Sequence, residues 1–132
     1  MNKYVKNIDR LVVSKEVAVA LRENFGFNEW CDIYYHVDDI YEDDPESYEM
    51  GHHQVCNDSF EDYHERVAAP YVIDALLWLS YKLDSYFEIK KVERGYSVFI
   101  TKNDRSHAVS AVNNDQQEAI KEALDKFLLK NN

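Results

Sequence analysis

Glycine is nearly missing from this chain: there are three in 132 residues, Gly26, Gly51 and Gly95, far apart from one another. Phosphate-binding loops and dinucleotide fingerprints need closely spaced glycines, because backbone amides must approach the phosphate. Both are thereby excluded, as is a nucleophile elbow. The two cysteines, Cys31 and Cys56, are too few for a disulfide framework and read as reduced, buried thiols. No apolar run approaches the ~18–20 residues of a membrane span. The N-terminus scatters Lys3, Lys6, Asp9 and Arg10 through its first ten residues, with no apolar stretch between them. A signal peptide is therefore not expected, and the expected location is the cytoplasm.

Basic residues are missing from one segment altogether. Between Asp38 and Glu65 stand eleven acids and no lysine or arginine, whereas the rest of the chain holds fourteen acids against fifteen bases. The overall charge of −10 therefore belongs to an acidic excursion at 38–65 on a near-neutral scaffold. Tyr41, Tyr48, Phe60 and Tyr63 lie within it, which argues for partial order, since purely solvating segments seldom keep aromatics.

What is present suits one packed domain over 1–132. Hydrophobic residues make up 45% and aromatics 14%, with ten tyrosines. Ser14 reads as a helix N-cap, followed by Val17, Ala18, Leu21 and Phe25 at helical spacing and by Gly26 as terminator. Residues 30–37 read as a strand, with 53–56 returning against 31–37 as a hairpin. Ser59 with Asp62 resembles a capping box for a short helix lined by Phe60, Tyr63 and Val67. Pro70 reads as the first residue of a helix running to about Leu83 that is apolar almost all round. Such a helix is normally covered on several sides; if the monomer leaves it uncovered, it makes a homodimer seam. Strands over 86–92 and 96–102, a tight turn at Glu93-Arg94-Gly95 and a third strand over 107–112 complete a meander. Asp115 and Glu118 then open a helix with Ala119, Ile120, Ala123, Leu124, Phe127 and Leu128 on one face. The expected fold is α+β: an antiparallel sheet, hairpin plus three-stranded meander, with about three helices packed mainly on one face.

Three stretches carry a resemblance. They are Val13-Ser14-Lys15-Glu16-Val17-Ala18 with Leu21 and Gly26-Phe27-Asn28-Glu29-Trp30-Cys31; Ala69-Pro70-Tyr71 with Ala75 and Trp78-Leu79; and Glu118-Ala119-Ile120-Lys121-Glu122-Ala123-Leu124. In these the chain resembles a group of small phage- and prophage-borne proteins of unknown function, over about half its length. It departs from them in an extra residue before Gly26, in Trp30 where proline is commoner, and in the length of its acidic stretch. The resemblance implies a fold and a phage setting, hence a host-cell cytoplasm, but no functional residues.

Candidate chemistry is sparse. His52, His53, Cys56 and His64, with His36 as a further ligand, form the one metal-ligating set, and His53-x-x-Cys56 has a spacing that half a zinc site uses. The second half does not follow, so exposed histidines beside a buried thiol account for it, and no metal or other cofactor is expected. Carboxylate pairs are inevitable among eleven acids and identify no general acid or base. Lys90, Lys91, Arg94, Lys102 and Arg105 lie beside Tyr86, Phe87, Tyr96 and Phe99 on the meander, the ingredients of a base-stacking surface. Glu88, Glu93 and Asp104 dilute that patch, and nucleic acid is not the expected partner. The expectation is a non-enzymatic phage or mobile-element accessory protein that works through contacts with an unidentified protein. Its alternatives are a small-ligand or metal-binding module with a pocket between the sheet and the 71–83 helix, and an acidic nucleic-acid-mimic inhibitor.

Overall fold

The computed structural model describes residues 11–37, 45–47, 54–60 and 65–129. It is an α+β fold with two antiparallel sheets, and the chain divides into two compact units: Val12–Pro70, and Met1–Leu11 together with Tyr71–Asn132.

In the Val12–Pro70 unit, α1 spans Lys15–Phe25. The Ser14 hydroxyl accepts from the Val17 amide at 3.2 Å, and Gly26 closes the helix at φ 71°. This is the left-handed conformation that a residue without Cβ adopts most readily. Val17, Ala18, Ala20 and Leu21 are buried, but Phe25, expected on the same stripe, is exposed. Strand β1, Ile33–His36, lies between β2, Glu46–Ser47, and β3, Arg66–Ala68.

The expected hairpin is present only as a single antiparallel contact, an isolated bridge in which Cys31 and Val55 exchange backbone hydrogen bonds. His53 lies outside the described residues. The main partner of β1 is β3 instead, with Tyr35 opposite Val67. Val67 therefore belongs to a strand rather than to the short helix expected after Ser59. Asn57–Ser59 is a single 3-10 turn, and the Ser59 hydroxyl serves Cys56, accepting its amide and donating to its carbonyl. Asp62 and Tyr63 lie outside the described residues.

Asn57 holds these pieces together. It is 4% exposed, donates from Nδ2 to the Phe27 carbonyl at 2.6 Å and accepts at Oδ1 from the Ala68 amide at 2.9 Å. One side chain thus joins the loop after α1 to β3, satisfying backbone groups that no strand reaches.

In the other unit, α2 spans Val72–Lys82 with Tyr71 as its N-cap residue, so Pro70 stands two residues before the helix instead of opening it. The meander is β4, Ser85–Val92; β5, Gly95–Lys102; and β6, Ala108–Asn113, in that order across the sheet. Helix α3, Gln116–Leu129, begins where Asp115 accepts from the Gln117 amide at 3.1 Å. Both helices pack against the meander, α2 on β4 and α3 on β5 and β6. The apolar layer is Val98, Ile100 and Ala111 from the sheet with Ala119, Ile120, Ala123 and Leu124 from α3, all nearly free of solvent. His107 ties β6 back to α3: its ring stacks on Phe127 and its Nε2 lies 2.9 Å from the Phe127 carbonyl. Lys126 reaches from α3 to the Ser110 carbonyl on β6 at 2.9 Å.

Candidate interaction surface

Helix α2 should hide most of its apolar length, and on one side it does: Val72, Ala75, Leu76 and Leu79 are buried. The remainder is open. Leu77 is 51% exposed and Tyr81 85%, and Asp74 and Lys82 are exposed beside them. At ~100° per residue, positions 74, 77, 78, 81 and 82 fall within an arc of about 140°. They form one face, with Leu77, half-buried Trp78 and Tyr81 in the middle, Asp74 toward the N-terminal end and Lys82 toward the C-terminal end. A large aliphatic and a large aromatic side chain adjacent on one helix face, bounded by charge, have the makeup of a protein-contact surface. Sequence periodicity shows that this helix is apolar; it does not show which side the fold leaves open.

Among the described residues, the other sequence candidates are not assembled into a comparable site. His52, His53 and His64 lie outside the described residues. Cys56 is buried at the start of the 3-10 turn, and Cys31 is buried beside its bridge to Val55. His36 sits on β1 with its ring edge-on to Tyr34 at 5.4 Å. Among the described residues, no group of three or more His, Cys, Asp or Glu could hold a metal ion.

The basic and aromatic residues of the meander are divided between the two faces of the sheet. The register pairs Lys91 with Tyr96 and Phe87 with Ile100, which places these four on the face that also carries buried Val98 and Ala111. Tyr86, Glu88, Lys90 and Phe99 lie on the opposite face. Lys91 is occupied, with its ammonium 5.4 Å from the Tyr96 ring centroid. Asp104 accepts from the Ser106 amide at 2.9 Å, and the Ser106 hydroxyl and amide hold its carboxyl below the ordinary 3.8. It therefore stays anionic beside Arg105 and offsets that charge.

The charge asymmetry follows the division into units. Val12–Pro70 carries fifteen acids against three bases, a net of −12, while the other unit carries ten acids against twelve bases, a net of +2. Both arginines of the acidic unit are engaged inside it. Arg22 pairs with Glu23 at 2.6 Å and donates to the Arg66 carbonyl, and Arg66 lies over the Phe60 ring. The surface of α2 belongs to the unit of near-zero charge. No family model, curated protein or solved structure matches the chain.

Proposed function

We propose that this protein is a non-enzymatic accessory protein of a phage or mobile element that works by protein–protein contact, with Leu77, Trp78 and Tyr81 of α2 as the contact surface. The observation that carries the reading is the exposure of Leu77 and Tyr81 on a helix whose opposite side is buried. Leaving such side chains in water forgoes roughly 1.5–3 kcal/mol for each one that a partner could bury. The resemblance of residues 13–31, 69–79 and 118–124 to phage-borne proteins supports the setting.

A photo-crosslinking amino acid placed at position 77 or 81 tests the surface in cells. Cross-links to protein are expected from both positions, and none from the exposed control positions Glu122 on α3 and Lys90 on β4. Silence at 77 and 81, with the variant protein folded, would remove the proposal.

A further inference from the structure

We infer that the occupant of the α2 face is a second copy of this chain, bound about a two-fold axis with the two α2 helices antiparallel. The inference rests on the reading of that face as a contact surface and goes further by naming the partner. Asp74 and Lys82 stand four residues to either side of Trp78. On a helix rising ~1.5 Å per residue they are about 12 Å apart along the axis, with the apolar residues between them. Two such faces laid antiparallel and centred at Trp78 put Asp74 of each copy opposite Lys82 of the other, at both ends of the seam. Parallel helices would instead set Asp74 against Asp74 and Lys82 against Lys82. The face is thus its own complement in one orientation and repels itself in the other, which is what an isologous two-fold contact requires.

The charge distribution points the same way. A chain of net charge −10 resists self-association, but the resistance is concentrated in the Val12–Pro70 unit, at −12. The unit bearing α2 has a net of +2, so it does not itself add to that repulsion. Leu77 and Tyr81 fill the middle of the seam, where contact energy concentrates, and the Asp74–Lys82 pairs lie at its rim, where they set orientation.

Sedimentation equilibrium of the intact chain at micromolar to millimolar concentration tests this, with circular dichroism as a check that each variant is folded. The wild-type chain is expected to sediment as a dimer. Asp74→Lys alone and Lys82→Asp alone each set two like-charged pairs in the seam and should weaken dimerisation about tenfold. The double variant D74K/K82D restores both pairs and should return to within about threefold of wild type. Leu77→Glu should leave monomer throughout the range. A wild-type chain that stays monomeric to millimolar concentration overturns the inference, as does a double variant no better than the worse single one. Cross-links from position 77 to a different protein, from a chain that sediments as monomer, would leave the contact surface standing and refute the second copy. No cross-link at all would refute both.

Discussion

Asn57→Ala will destabilise the Val12–Pro70 unit by about 3 kcal/mol, although it deletes one small polar side chain from a turn. The amide of Asn57 is not competing with water for its partners. Asn57 is 4% exposed and bonds both the Phe27 carbonyl and the Ala68 amide. Alanine removes both bonds, at roughly 1–3 kcal/mol each, and the spread reflects how far the loop relaxes to admit water. Aspartate keeps the acceptor for Ala68 but turns a carboxylate oxygen toward the Phe27 carbonyl. Asn57→Asp should therefore be worse than alanine at neutral pH and should recover in acid, where a protonated carboxyl donates again. Urea unfolding monitored together with hydrogen exchange at the Ala68 amide reads both effects. A loss below about 0.5 kcal/mol for alanine would mean that the two bonds contribute nothing.

Gly95→Ala will cost a similar amount or more, for a steric reason. Gly95 opens β5 at φ 133°, a region in which L side chains are strained. A Cβ built there would lie 2.4 Å from the Asn113 carbonyl oxygen and 2.4 Å from the Asn114 Cα. Both obstacles are backbone atoms at the end of β6, so relief requires the meander itself to open. About 3 kcal/mol or more is expected, read as a drop in urea midpoint. Gly26→Ala is the control. It has φ 71° but no atom within 4 Å of the added carbon, so only the backbone cost of about 1 kcal/mol applies. Equal losses at the two sites would show that crowding at Gly95 is not real.

These two glycines also mark what sequence reading reached. Gly26 ends α1 as its neighbours foretell, and the turn stands at the expected place, although Gly95 is the first residue of β5 rather than the last of the turn; caps and tight turns are written in a few adjacent residues. The Asp115 start of α3 was legible for the same reason. Asn57 was not, because its partners lie thirty and eleven residues away and no local pattern announces them. The pairing of β3 with β1 was missed likewise. Val67 fits a helical stripe with Phe60 and Tyr63 as well as it fits a three-residue strand, and only the long-range ladder decides. For the candidate surface, the apolar helix was visible but its open side was not. Residues 72–81 are apolar almost all round, with Asp74 and Ser80 the polar exceptions, so exposure of Leu77 rather than Leu76 is set by what packs on the other side.

The lysine that bridges α3 to β6 has a wider consequence. Strand β6 is an edge of its sheet, and Ala108–Asn113 carries no charge and no proline. The amide of Lys102 donates to the His107 carbonyl, so the ladder alternation leaves Ser110, opposite Phe99, with its carbonyl turned away from β5. Among the described residues no strand pairs with that edge, which is a template for another strand, and Lys126 places an ammonium on its central acceptor. The expected consequence is protection against fibril growth: Lys126→Met, or acetylation of the same amine, should bring on thioflavin-positive aggregation at concentrations where the unmodified chain stays clear.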